Sequence, residues 1–273
     1  MILQETSNIP TNITNRLSVQ VTLTGLSFLV TNPNDDVAVF FSEKKFNQDY
    51  SPEDILLEIK TMLLQTEALQ GDFKKVTVIY ATNLYTVVPT PLFDETKASE
   101  YLKFNSKIMT NDFVAHDALG NYNITTVYIP YININNYLFD RFGSFKYYHA
   151  TTILLKSILY IEKHSLDNKV YLHVINNMFD FIAIKKGALL QCNTYLFKTP
   201  EDFIYYILFS LEQLKLNPDS IEFILCGSID KEDEIYKKLY TYIRNISFIK
   251  VDQPQIKFKD TESSHHNFLL KNA

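Results

Sequence analysis

LSVQVTLTGLSFLV, residues 17–30, is the stretch from which the fold of this chain can be worked out. Apolar and polar residues alternate up to Leu23, and β-branched and aromatic residues follow Gly25, which is typical of two strands joined by a tight turn. We expect Gly25 to supply a positive φ in that turn. A third strand, VAVFF, follows at residues 37–41, so the chain is predicted to open with three consecutive strands.

The next feature is a helix start, SPED at residues 51–54. The serine can cap free N–H groups, the proline fits the first helical position, and the two acids complement the positive end of the helix dipole. Apolar residues then repeat at helical spacing as far as Leu63, which indicates a face that packs against a core. The short apolar run VTVIYA at residues 76–81 predicts a buried strand.

This order of elements occurs a second time. VYLHVINNMFDFIAI at residues 170–184 predicts another hairpin, ALLQCNTYLF a third strand, TPED at residues 199–202 another capped helix, and IEFILC at residues 221–226 another buried strand. A serine or threonine before Pro-Glu-Asp is simply a good helix start and could occur twice by chance. The whole order recurring at offsets of 148 and 145 residues indicates an internal duplication instead.

Between and beyond the two repeats the patterns are weaker. They predict a helix over residues 94–104, a β-rich stretch over 124–134 that is broken by Pro130, a helix over 148–164 and a helix over 232–243. The last thirty residues are predicted to form a strand pair or a docked tail.

Composition excludes several classes of protein. The chain has 273 residues, a net charge of −5 and only three arginines, Arg16, Arg141 and Arg244, so we expect no nucleic-acid partner. No apolar run approaches the ~18 residues of a membrane span, and the N-terminus has no secretory pattern, so we expect no membrane insertion. Cys192 and Cys226 stand alone in sequence, which fits a reducing compartment. The expected location is the cytoplasm.

A β-β-β-α-β-α unit used twice resembles the actin-like ATPase fold of actin, sugar kinases and the Hsp70 ATPase domain. Within that superfamily the chain is similar to pilus-assembly and type II secretion adaptors. It most resembles an uncharacterised Bacteroidetes family without an assigned activity, through residues 17–30, VVPTPLF at 87–93 and IEFILCGS at 221–228. The resemblance implies an α/β, ribonuclease H-like duplicated fold, in which each lobe has a mixed sheet flanked by helices. It implies a tail at residues 1–16, a first lobe at 17–148 and a second lobe with a C-terminal tail at 149–273.

The resemblance also implies where a nucleotide would bind. In that superfamily ATP lies in the cleft between the repeats, each first hairpin turn approaches the phosphates through an Asp-x-Gly motif, and a glycine pair after the late strand approaches the adenosine. The aspartates organise Mg²⁺. Here neither turn contains an aspartate, and Asp180, inside the following strand, is predicted to point outward. The remnants of the cleft are Thr24, Gly25, Asn176, Asn177, Gly227 and Ser228.

Without the aspartates there is little to hold a metal or to position an attacking water, so no catalytic residue and no cofactor are expected. The leading hypothesis is a non-catalytic adaptor or scaffold, a pseudo-ATPase that binds a protein partner. Two alternatives stay open. One is an ATP-binding protein or ATP-dependent enzyme with Thr24, Asn176 and Asn177 as atypical phosphate ligands, and the other is a small-molecule sensor with a polar pocket of several hundred Å³. The sequence predicts no oligomeric state.

Other reactive side chains have simpler interpretations. His265 and His266 could bind a metal with Asp260 or Glu262, but adjacent histidines on a strand face opposite sides, which favours an ordinary tail loop and no metal. Cys226 is interpreted as a small buried hydrophobe.

The remaining polar and aromatic groups also have structural interpretations. His149 and His173 are interpreted as structural histidines, and the acidic run at residues 230–234 as a solvated helix start. An exposed part of the aromatic clusters would form a protein interface. Those clusters are Tyr205, Tyr206 and Phe209 in one predicted helix, and Tyr236, Tyr240 and Tyr242 in another.

Overall fold

The computed structural model describes residues 15–34, 37–103, 108, 112–250 and 265–273, and the described chain divides into two compact units. The first unit takes in residues 15–154 and 269–273. The second takes in residues 155–250 and 265–268.

The first unit is built on a five-stranded mixed sheet and a three-stranded antiparallel sheet. Its elements, in chain order, are β1 (Arg16–Thr22), β2 (Gly25–Asn32), β3 (Val37–Lys45), α1 (Pro52–Gln65), β4 (Lys75–Tyr80), β5 (Tyr85–Pro89), α2 (Ala98–Leu102), β6 (Ala115–Leu119), β7 (Ile124–Tyr128), α3 (Ile132–Phe142) and β8 (Lys146–His149). The larger sheet has the order β3-β2-β1-β4-β8, in which β1, β4 and β8 are parallel neighbours. The smaller sheet has the order β5-β7-β6.

The second unit repeats the larger sheet. After α4 (Ala150–Ile161), which begins in the first unit, the elements are β9 (Asn168–Ile175), β10 (Met178–Lys185), β11 (Ala188–Leu196), α5 (Pro200–Leu214), β12 (Glu222–Gly227), α6 (Glu234–Tyr242) and β13 (Asn245–Phe248). The short helix α7 (Phe268–Lys271) begins with the last residue of this unit, and its other residues belong to the first unit. The strand order β11-β10-β9-β12-β13 matches β3-β2-β1-β4-β8 strand for strand, with the same parallel and antiparallel neighbours. The predicted duplicated α/β fold is confirmed.

The two capped helices form as predicted, through the same set of hydrogen bonds. The backbone N–H of Asp54 donates to Ser51 Oγ at 3.2 Å, and that of Asp202 donates to Thr199 Oγ1 at 3.1 Å. Each aspartate in turn accepts from the backbone N–H of its capping residue, which completes a capping box. The buried positions of the two helices keep the offset of 148 residues: Ile55 with Phe203, Ile59 with Ile207, and Leu63 with Leu211.

Three predicted elements need correction, and three short strands were not predicted. The helix predicted over residues 94–104 is the shorter α2, which follows a 3₁₀ turn at Glu95–Lys97, and residue 104 lies outside the described ranges. The β-rich stretch 124–134 is interrupted near Pro130 as predicted, since β7 ends at Tyr128, but the residues after the interruption begin the helix α3 and are not β structure. Residues 146–149 form β8, so the helix predicted from residue 148 begins at Ala150. β5, β6 and β13 were not predicted, since strands of four or five residues carry too little pattern to detect.

Some predictions fall on residues that the structure does not describe. Residues 1–14 of the predicted tail and 251–264 of the C-terminal stretch lie outside the described ranges. Among the helices within those ranges, none combines the length and the apolar character needed to cross a membrane.

Candidate functional site

The first hairpin turn lies between β1 and β2 and is held by one threonine. Thr22 Oγ1 accepts a hydrogen bond from the backbone N–H of Thr24 at 3.1 Å and donates to the carbonyl of Gly25 at 3.0 Å. Gly25 is the first residue of β2, paired with Thr22, and it is not among the glycines with positive φ. The prediction of a positive φ at Gly25 is therefore wrong, because the side chain of Thr22 stabilises this turn.

The second hairpin turn, Asn176-Asn177, uses backbone conformation instead. Asn176 has a φ of 50°, a left-handed value that asparagine tolerates better than most residues. A carbonyl of each turn accepts an equivalent hydrogen bond. The N–H of Phe46 donates to the carbonyl of Thr24 at 2.8 Å, and the N–H of Phe197 donates to the carbonyl of Asn177 at 2.9 Å. Both turns are thus fixed by the strand-to-helix connection of their own unit, and neither contains a carboxylate.

Gly227 and Ser228 lie beside the second turn, at the same end of the sheet. The backbone N–H of Ser228 donates to the carbonyl of Val174 at 2.7 Å, two residues before Asn176. Gly227 has a φ of 87°, and a Cβ added to it would lie 2.2 Å from the carbonyl oxygen of Val174. Packing within the unit and the positive φ therefore explain why this position requires glycine.

Asp180, three residues after the second turn in sequence, has its carboxylate hydrogen-bonded within the sheet. Asp180 Oδ2 accepts a hydrogen bond from His173 Nδ1 at 3.0 Å, and Oδ1 accepts from the hydroxyl of Thr194. The side chain is buried, so the prediction that Asp180 points outward is wrong. The reason is that seven of the eight residues of β10 are buried, and a strand covered on both faces does not follow the alternation of a half-exposed one.

Cys226 continues the same row of side chains across the sheet, because it is paired with His173. Burial raises the pKa of its thiol, and the nearby charge of Asp180 raises it further. A thiol with a raised pKa is a poor nucleophile at neutral pH. The interpretation of Cys226 as a buried small residue and of His173 as a structural histidine agrees with this environment.

A second buried polar network lies in the first unit, around Asp117. Asp117 accepts hydrogen bonds from the hydroxyls of Tyr128 and Thr152 and from the backbone N–H of His149, at 3.1, 2.8 and 2.9 Å. Burial raises the pKa of Asp117 in spite of these three donors. His149 is the last residue of β8 and donates from Nε2 to the carbonyl of Thr82. No local pattern in the sequence connects Asp117 with residues more than thirty positions away, and the network could not be predicted.

The two adjacent histidines near the C-terminus lie against Asp230 in the second unit. The acids expected beside them, Asp260 and Glu262, lie outside the described residues. Asp230 belongs to the acidic run before α6, which begins at Glu234. Burial lowers the pKa of His265, and the neighbouring His266 lowers it further.

A polar cavity of about 520 Å³ lies at the other end of the second sheet. Its lining includes Asn168 and Glu222, the first residues of β9 and β12. Asn176 and Gly227 lie at the opposite, carboxyl ends, since Asn176 follows the last residue of β9 and Gly227 is the last residue of β12. Ligands of open α/β sheets bind outside the carboxyl ends of the parallel strands. The cavity is therefore not at the predicted turns of the second unit.

Comparison with known proteins supports the fold and identifies a family. A family model described as "Protein of unknown function (DUF3822)" matches residues 4–246. A solved protein from Bacteroides thetaiotaomicron, described as having an actin-like ATPase fold and unknown function, is 22% identical, with a TM-score of 0.79 over 90% of this chain and 94% of that one. A structure of the PilM–PilN type IV pilus biogenesis complex is 10% identical, with a TM-score of 0.58 over 92% of this chain and 91% of that one. The predicted actin-like fold is confirmed. No curated protein matches the chain in sequence.

Proposed function

The chain belongs to the DUF3822 family of proteins of unknown function, and from this premise we propose that it is a non-catalytic actin-like scaffold or adaptor that binds a protein partner. The fold supplies a framework for a nucleotide site. The residues at the expected positions do not supply the chemistry of phosphoryl transfer.

The observation that carries the proposal is the environment of the two hairpin turns. Metal-assisted phosphoryl transfer needs carboxylates that bind Mg²⁺ beside the phosphates. Both turns lack a carboxylate, and Asp180, three residues after the second turn in sequence, already accepts hydrogen bonds from His173 and Thr194. Releasing Asp180 for a metal would leave these two donors without their buried acceptor, at a cost of about 1–3 kcal/mol for each.

A candidate surface for the partner lies on α5 and α6. Tyr205 and Phe209 are 61% and 45% exposed, and their rings stack with centroids 6.2 Å apart one helical turn from each other. Tyr242 on α6 is also exposed. Large exposed aromatic side chains are enriched at protein interfaces, because they bury much area at a small cost in conformational entropy.

An ion pair joins the two helices within this surface. Lys238 Nζ on α6 lies 2.8 Å from Glu201 Oε1 on α5. Tyr205 follows Glu201 by four residues and Tyr242 follows Lys238 by four residues, so each tyrosine lies one turn beyond its member of the pair. We call Tyr205, Phe209 and Tyr242 the α5–α6 aromatic surface.

A solved neighbour of this fold gives further support for a protein-binding role. The PilM structure is that of a PilM–PilN complex, so a protein of the same fold assembles with a protein partner. For the present chain we propose a partner that covers the α5–α6 aromatic surface with apolar side chains.

The test is a comparison of partner capture by matched variants. Wild-type protein, the double variant Tyr205→Ser/Phe209→Ser and the control Tyr160→Ser would be immobilised and exposed to extract of the native cells. Tyr160 is 74% exposed and lies on α4, which is not one of the two helices of the proposed surface. We expect a stoichiometric partner that is retained by the wild type and by Tyr160→Ser and lost from the double variant. Equal retention by all three proteins would contradict the proposed surface, and the lack of any partner would contradict the adaptor function.

A further inference from the structure

Three side chains of the kinds that ligate metals meet at one point of the second unit: Asp230 and the consecutive His265 and His266, which follow it by 35 and 36 residues. Asp230 Oδ1 lies 3.4 Å from His265 Nε2, and Asp230 Oδ2 lies 3.2 Å from His266 Nε2. One donor atom from each of the three residues lies within 4.8 Å of the other two. No comparably assembled group of three histidine, cysteine or acidic side chains is found elsewhere in the described ranges.

The two carboxylate–imidazole distances are close to those between neighbouring ligands of one metal ion. Zinc binds imidazole nitrogen and carboxylate oxygen at about 2.0–2.2 Å, so two ligands at a tetrahedral angle are roughly 3.4 Å apart. The two distances from the carboxylate of Asp230 to the histidine nitrogens agree with that value. Two imidazoles and one carboxylate form a ligand set suited to zinc and related transition metals, in contrast to the all-oxygen sets of Mg²⁺ and Ca²⁺.

The rings are held in this arrangement by contacts outside the cluster. The ring of His265 packs on Phe248 with centroids 4.3 Å apart, and its backbone carbonyl accepts from the N–H of Gly227 at 2.8 Å. The rings of His265 and His266 are inclined at 68°, which lets two consecutive residues present nitrogen to the same carboxylate. The backbone N–H of Asp230 donates to Asp233 Oδ2 at 2.8 Å, which fixes the turn that carries the carboxylate.

The site is open to ions from solvent on one side. The side chains of Asp230 and His266 are 46% and 27% exposed, whereas that of His265 is 8% exposed. The acidic run at residues 230–234 carries four carboxylates and one lysine, and it favours the approach of a cation. We propose that Asp230, His265 and His266 bind one divalent transition-metal ion of the zinc class and thereby tie residues 265–266 to the turn before α6.

Binding at His265 needs one internal rearrangement. Nε2 now donates a hydrogen bond to the carbonyl of Ile229 at 2.9 Å. A neutral imidazole that ligates through Nε2 carries its proton on Nδ1, so the proton moves from one ring nitrogen to the other and no net proton is released by this residue. Three protein ligands leave a fourth position for water, as in zinc sites that are not closed by a fourth side chain.

The experiment is a titration of chelator-treated full-length protein with ZnCl₂ by calorimetry, together with CoCl₂ and visible absorption. The two test variants are His266→Ala and Asp230→Asn, which change partly exposed side chains, and far-UV circular dichroism shows which of them keeps the fold. His164→Ala is the matched control, because His164 is exposed and lies in the same unit.

We expect one zinc ion per chain in the wild type and in His164→Ala. The affinity should fall at least tenfold in each folded test variant, since even loss of a partner outside the ligand set costs about 10–100-fold. Bound Co²⁺ should give visible absorption of the intensity of a tetrahedral or five-coordinate site in the wild type and in His164→Ala. The folded test variants should need more Co²⁺ to reach that absorption. A wild type that binds no zinc, or folded test variants that bind as tightly as the wild type, would overturn the proposal.

Discussion

Gly227 lies so close to Val174 that the backbones of β12 and β9 leave no room for a side chain between them. An added Cβ would lie 2.2 Å from the carbonyl oxygen and 3.0 Å from the nitrogen of Val174. In the first unit the equivalent pairing is between Tyr80 and Val21, and there a large side chain is accommodated. The two halves of the duplication therefore differ at this strand end.

The first prediction concerns this contact. Gly227→Ala should lower the free energy of unfolding by about 2–4 kcal/mol, because it combines the strain of a positive φ with overpacking against a rigid backbone. Gly71→Ala is the control, since an added Cβ meets nothing within 4 Å and the φ of Gly71 is not positive. Chemical denaturation followed by circular dichroism would measure both. If the two variants are equally stable, Gly227 is not required by packing, and its conformation would be free to serve a ligand.

The second prediction concerns the buried pair of His173 and Asp180. Replacing His173 with alanine leaves the buried Asp180 with only the hydroxyl of Thr194 as a side-chain donor, and replacing Asp180 leaves His173 Nδ1 without its acceptor. A double-mutant cycle should therefore give a coupling energy of about 1–3 kcal/mol. The cycle of Glu201 and Lys238, an exposed pair, should give a much smaller coupling. A coupling for His173 and Asp180 as small as that of the exposed pair would show that the carboxylate is available to other ligands.

The third prediction is a pH dependence in the second unit. Burial acts to raise the pKa of Glu162, but hydrogen bonds from Tyr171 and Lys169 outweigh it and hold that pKa below its ordinary value of 4.5. A carboxyl group with a depressed pKa stabilises the folded state above about pH 4.5, and this stabilisation is lost as the pH falls through the folded-state pKa.

Tyr171→Phe removes one of these hydrogen bonds and should therefore cost most at neutral pH. We expect a loss of about 1.5–3 kcal/mol at pH 7, the range for a hydrogen bond to a charged group, and a smaller loss below pH 4. Urea denaturation at several pH values would measure it. A loss that stays constant between pH 7 and pH 3 would mean that the charge of Glu162 plays no part.

The sequence predicts best those features whose signal is local. The SPED and TPED starts contain the residues of each capping box within four positions, so both helices form where their sequences place them. The two hairpins and buried strands were predicted for the same reason. The recurrence of their order predicts the duplicated fold, although the sequence contains no catalytic motif that would indicate it.

Features that depend on distant residues could not be predicted. Asp180 is buried because β9 and β11 bring His173 and Thr194 to it, and the alternation within β10 contains no trace of this. Asp230 lies 35 residues before His265, and only the fold brings its carboxylate to both histidines. The prediction of a positive φ at Gly25 was wrong because the hydroxyl of Thr22 stabilises the turn by hydrogen bonds to the backbone of Thr24 and Gly25.

The most direct test of the central claim is a calorimetric titration of the full-length protein with ATP and Mg²⁺, run beside a phosphate-release assay. Wild-type protein would be compared with Thr24→Ala and Asn177→Ala, which change the two turns without adding bulk. A non-catalytic scaffold predicts no phosphate release above the protein-free control in any of the three, because neither turn supplies a carboxylate for Mg²⁺. Saturable ATP binding with steady phosphate release that either variant abolishes would contradict the account.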